Sequence, residues 1–118
     1  MKTLPISLKK RNEVTNEYIE QYYPFEVPVL WEGENIFVHN PVTRFDKSQK
    51  LDKFEWCITH KSTGLKAHWG GFEKLEHAIR RAKEIDQHEY IIACNAFGFS
   101  QMPNIRPTEE QKKELFRY

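Results

Sequence analysis

The chain has 118 residues, 39% hydrophobic, 14% aromatic and 30% charged, with a formal net charge of +1. That length gives one domain with room for a real core, and the aromatic content excludes a disordered chain. Near-neutrality removes any global attraction to nucleic acid or an anionic membrane, and no apolar run nears the roughly 20 residues that span a bilayer.

In chain order, Met1 to Arg11 carries Lys2, Lys9, Lys10 and Arg11 and no acid. It reads as a basic flexible leader ahead of a single domain over 12–118. Asn12 to Tyr23 is expected as a helix, with Val14, Tyr18, Ile19 and Tyr22 on one side and Glu13, Glu17 and Glu20 outside. Pro24 ends it. Phe25 to Trp31 alternates like a strand, and Pro28, which has no N–H to donate, makes it an edge strand. After a turn at Glu32 to Asn35, Ile36-Phe37-Val38-His39 returns antiparallel. Asn40-Pro41 then opens a loop with Arg44, Lys47, Lys50 and Lys53 set against Asp46 and Asp52.

The centre of the chain is a hairpin that feeds a helix. Phe54 to His60 alternates, Lys61-Ser62-Thr63-Gly64 turns, and Leu65 to Gly70 alternates again. A four-residue loop pairs His60 with Leu65, Ile58 with Ala67 and Trp56 with Trp69. Phe54, Trp56, Ile58, Leu65, Ala67 and Trp69 then share one inward face. Leu75, Ala78, Ile79, Ala82 and Ile85 recur at helical spacing and form a stripe able to lie on it.

Two patterns compete beyond Ile85. The capping-box side chains of Asp86-Gln87-His88-Glu89 favour a second short helix to about Ala96, whereas Tyr90-Ile91-Ile92 would suit a fourth strand; the helix is the expectation. Gly98 is a stop, Phe99 to Arg106 a loop, and Thr108 caps a last helix with Gln111 completing its box. The expected fold class is α+β, an antiparallel sheet of at least two hairpins packed on a central amphipathic helix, with flanking N- and C-terminal helices.

Chemistry is sparse in this sequence. The expected register sets Cys57 across from His68 on the outer face, where an imidazole could take a thiol proton. No orienting third group or oxyanion donor accompanies them, so the pair reads as a small half-buried Cys beside a surface His, and no catalytic residue is assigned. His39, His60, His68, His77 and His88 are scattered, without the clustered spacing of metal ligands, so no metal is expected. Gly70-Gly71 precedes the helix without the Lys-Ser/Thr of a phosphate loop or a G-x-G-x-x-G, and reads as a tight turn with no cofactor. Cys57 and Cys94 form no metal-type pair. With no signal-like apolar segment at the start, they read as reduced thiols in a cytoplasm.

What remains is surface. Val42 to His68 holds six Lys or Arg against three acids, while Arg11 to Asn35 holds six Glu against one Arg. Phe97, Phe99, Met102 and Ile105 are apolar side chains in a Pro-containing stretch, which either fold over the core or mark a partner site. The expected function is a small non-enzymatic cytoplasmic protein that binds another protein, of the inhibitor or accessory type found in phages and mobile elements. Its partner-binding residues are taken to be Arg44, Lys47, Lys50, Lys53, Lys61, Lys66, His68, Phe97, Phe99, Met102 and Ile105. The alternative is a nucleic-acid binder using the basic 44–68 region as a β-ribbon. No membrane partner is expected.

Overall fold

In the computed structural model, residues 1–42, 50–68, 71–101 and 105–115 are described. They form a small α+β fold with antiparallel strands in two sheets and three α-helices. The first sheet is a long hairpin, β1 (Thr3–Arg11) with β2 (Tyr18–Pro28). Its register opposes Leu4 to Val27, Ile6 to Phe25 and Leu8 to Tyr23, so two apolar rows share one face.

This hairpin replaces both the flexible leader expected over residues 1–11 and the helix expected over residues 12–23. Asn12 organises the turn: its N–H donates to the Glu17 carbonyl at 2.8 Å, and its Oδ1 accepts from Val14 N at 2.9 Å. Asn16 takes a left-handed φ of 63°, which asparagine tolerates well. The supposed helical stripe has nothing to pack on, since Val14 is 93% and Tyr18 49% exposed. Turn chemistry and the aromatic, β-branched run from Tyr18 onward outweigh a 3.6-residue spacing.

Pro24 does not stop an element; it lies within β2. Ser7 N donates to Gly64 O at 2.9 Å, so the Ser7 amide points away from β2. By alternation the Pro5 nitrogen points the same way, and the register places Pro24 opposite Ser7 and Pro28 opposite Thr3. All three prolines therefore occupy positions whose N–H would face outward, and none removes a ladder bond. On the outer edge of β2, Pro24 and Pro28 also discourage pairing with another chain.

The second sheet has the order β3 (Trp31–Glu32), β4 (Ile36–His39), β5 (Cys57–His60). The edge strand expected over Phe25 to Trp31 is thus divided between the sheets. Val29 N donates to Lys2 O at 3.0 Å and Leu30 N to Val38 O at 2.9 Å, which carries the chain from one sheet to the other. The return through Ile36 to His39 is antiparallel, as the sequence implied, and its register pairs Trp31 with Val38. Past β5, His60 N donates to Leu65 O and Ala67 N to Ile58 O, both at 2.9 Å, in the expected register. Trp56 departs from it, exchanging bonds of 3.0 and 2.8 Å with Phe72. Its expected partner Trp69 lies outside the described residues, as does Gly70. Phe54, expected inward, is 87% exposed.

Every residue of β4 and β5 is buried, because each face of the sheet meets its own core. Ile36, Val38, Ile58 and Ala67 pack with Ala78, Ala82 and Ile85 of α1 (Leu75–Ile85), Ile91 of α2 (Glu89–Ala93) and Leu115 of α3 (Glu109–Leu115). On the opposite face Phe37 packs with Ile6 and Val27 of the hairpin. A single 3₁₀ turn, Cys94–Ala96, follows α2, so the competing patterns at 88–96 resolve as helix. His88 caps α2 by accepting from Tyr90 N at 3.1 Å. Thr108 and Gln111 cap α3 reciprocally at 3.0 and 3.1 Å. Among the described residues no helix is long and apolar enough to cross a membrane.

Candidate functional site

The thiol–imidazole pair exists, with a different histidine. Pairing of β4 with β5 sets His39 opposite Cys57, and Cys57 Sγ lies 3.3 Å from His39 Nε2. His39 Nε2 is also 2.6 Å from Thr59 Oγ1, while Nδ1 lies 2.9 Å from the Asn40 carbonyl. A carbonyl only accepts, so the proton belongs on Nδ1, and Nε2 accepts from the Thr59 hydroxyl or the thiol. Burial pulls the His39 imidazole down to about 4 and pushes the Cys57 thiol up to about 12. Both groups are thus neutral near pH 7, and the cluster ties the sheet together beneath the hairpin instead of presenting a thiolate. His68, expected on the surface across from Cys57, is buried, with its ring 4.9 Å from Phe72. Sequence reasoning missed His39 because its neighbour is set by a strand pairing across a loop, not by local spacing.

Among the described residues no group of three or more His, Cys, Asp or Glu is placed to hold a metal ion. Over Gly71 the Glu55 carboxylate fills the space a side chain would take, so this backbone already faces an anion of its own. An open groove of about 640 Å³ runs beside α1, where Arg80 and Arg81 are balanced by Glu73 and Glu84. Arg81 is already occupied, donating to Glu84 at 2.8 Å and to the Glu114 carbonyl at 2.6 Å.

The charge blocks separated along the chain meet in space. Glu32 lies 2.6 Å from Lys2 and 2.5 Å from Lys61, and Lys9 lies 3.0 Å from Glu20. Hydrogen bonds from Lys2 and Lys61 hold the Glu32 carboxyl below its ordinary range. Lys61 is thereby committed to an internal pair, while Lys50, Lys53 and Lys66 remain exposed. Arg44, Lys47 and Met102 lie outside the described residues. Phe97 is half-buried and Phe99 packs over Gly64, where a Cβ would come within 2.7 Å of its ring. Ser100 N donates to Thr63 O at 2.8 Å and its hydroxyl lies 2.9 Å from that of Ser7. This part of the segment folds back on the molecule, although Phe99 and Ile105 both keep an exposed edge.

One exposed feature was invisible to the alternation argument. Leu51 bridges to Val42 and joins the hairpin-side core, and Asp52 N donates to Pro41 O at 2.8 Å. The Asp52 carboxylate accepts from Phe54 N at 2.9 Å, and the Glu55 carbonyl accepts from Asn40 Nδ2 at 2.8 Å. With Trp56 tied to Phe72, the turn is fastened at both ends and Phe54 projects from it beside Lys53. The available signal was Asp52 two residues before Phe54, the spacing of an Asx turn. Comparison with protein-family models, curated proteins and solved structures gives no match to this chain.

Proposed function

We propose that this chain is a small non-enzymatic binding domain that acts in a cytoplasmic setting by docking on another protein. The observation that supports it is where large apolar side chains stand. Phe54 protrudes from a fastened turn, and Val14 and Tyr18 lie at the far end of the hairpin. Exposed rings beside charged side chains are the usual makings of a specific contact. The Cys57 thiol and the His39 imidazole that meets it are enclosed and neutral, and His68, the imidazole that sequence alone set beside the thiol, is buried. An inhibitor or accessory factor of the phage or mobile-element kind would work in this way, by occupying a partner's surface.

A second reading, nucleic-acid binding, has the exposure of Lys50, Lys53 and Lys66 in its favour. Pull-down with the tagged full chain from lysate, with and without nuclease, separates the two. The proposal expects a protein retained after nuclease treatment. Recovery of nucleic acid alone, lost with nuclease and falling as a power of salt, would assign the second reading.

A further inference from the structure

We infer that Phe54 is a docking anchor, and that the surface receiving it is an apolar pocket rimmed by carboxylates on a protein partner. The inference rests on the binding-domain reading above and adds the contact residue and the partner's chemistry. Three observations carry it. The ring is 87% exposed, although its backbone is fixed by the Asp52 carboxylate and by ties to Pro41, Asn40 and Phe72. A projecting ring on a fastened turn loses little freedom on binding, which is what makes a preorganised aromatic effective at an interface. Lys50 and Lys53, close before Phe54 in the chain, are exposed and form no ion pair among the described residues, in contrast to Lys2, Lys9 and Lys61. Two exposed lysines close in sequence to an apolar knob call for an apolar hollow with an acidic rim, because complementary charge steers the encounter while the ring supplies the attachment.

A nucleic-acid surface fits this turn less well. Strand-binding proteins stack successive bases on several rings along a positive groove, whereas this turn offers a single ring with the Asp52 carboxylate at its base. A second copy of the chain is the other candidate occupant. The groove beside α1 contains Phe72 with Glu73 and Glu84, but Arg80 and Arg81 lie between the acids and would oppose the lysines.

The test places a photo-crosslinking benzoylphenylalanine at position 54 of the full chain, with the same residue at exposed Lys83 as control. Sedimentation of the wild-type chain alone comes first. The inference expects a monomer, and a protein adduct in lysate from position 54 but not from position 83. That adduct should form several-fold more slowly at low salt in the Lys50→Glu/Lys53→Glu variant. Against the purified partner, Phe54→Ala should weaken binding about thirtyfold or more, mostly by faster dissociation. The double charge reversal should instead slow association several-fold, with the effect fading at high salt. Phe54→Ala should leave the thermal midpoint unchanged, since the ring packs on little. A lowered midpoint would show that the ring supports the fold, and would overturn the inference. A nucleic-acid adduct, a self-adduct with dimers in sedimentation, or equal adducts from both positions would overturn it as well. If a nuclease-resistant partner is retained equally by wild type and Phe54→Ala, the anchor fails and the binding-domain reading stands. If no protein is retained at all, both fail.

Discussion

Replacing Asp86 by Ala should be among the most damaging single changes in the molecule. Asp86 follows the last turn of α1 and is only 8% exposed, and its carboxylate enters the β3–β4 turn. There it accepts from the backbone N–H groups of Asn35 at 2.9 Å, Glu34 at 3.1 Å and Ile36 at 3.3 Å. Asn35 Nδ2 returns a bond to the Asp86 carbonyl at 2.7 Å. Hydrogen bonds to a charged acceptor contribute roughly 1.5–3 kcal/mol each, and a buried N–H left without one costs comparably. Counting the two shorter bonds and allowing water to reach Glu34, the loss comes to about 3 kcal/mol, or about 10 °C in Tm for a domain of this size. Urea denaturation followed by tryptophan fluorescence measures it. Gly33→Ala supplies an independent handle, because its Cβ would lie 2.6 Å from Asp86 Oδ1. The double variant should therefore lose less than the sum of the singles. A loss below about 1 kcal/mol for Asp86→Ala, or strict additivity with Gly33→Ala, would refute the view that this carboxylate fastens helix to sheet.

Acid should destabilise the fold through its buried imidazoles. Burial holds His39 and His60 near 4 in the folded state, so the unfolded chain binds more protons below pH 6.5. Stability is then complete above pH 6.5 and declines as pH falls towards 4, by up to about 1.4 kcal/mol per pH unit for each histidine. Urea midpoints across that range check it, and a flat profile would contradict the buried neutral forms. Both thiols, Cys57 and Cys94, are free and buried, and should resist an aromatic disulfide reagent at pH 8 until urea opens the fold. Prompt reaction of either would show an open path. In amide hydrogen exchange, Ile6, Leu8 and Phe25 should be protected while Tyr22 and Glu26, whose N–H groups face outward from β2, exchange quickly. Protection of Tyr22 and Glu26 with fast exchange of Phe25 would mean that the hairpin register is shifted by one residue.

Much of the sheet-and-helix half was written locally. The stripe from Leu75 to Ile85, the pairing of Ile58 with Ala67, and the cap at Thr108 all depend on side chains within a few residues of one another, whereas the box expected from Asp86 gave way to a cap at His88 because the Asp86 carboxylate serves the β3–β4 turn. Periodicity and capping chemistry act at that range, so one sequence sufficed. The stretch from Asn12 to Tyr23 fits a helical period and a strand period alike. Its choice of strand depends on β1 across the turn and on the apolar Phe37 face of the second sheet, which the hairpin covers. Tertiary structure likewise decided that His39, not His68, meets Cys57, that Lys2 and Lys61 meet Glu32, and that Phe54 turns outward. Each is a contact or an exposure created by packing elements distant in sequence, and the order of residues along a strand carries no record of what lies on its other side.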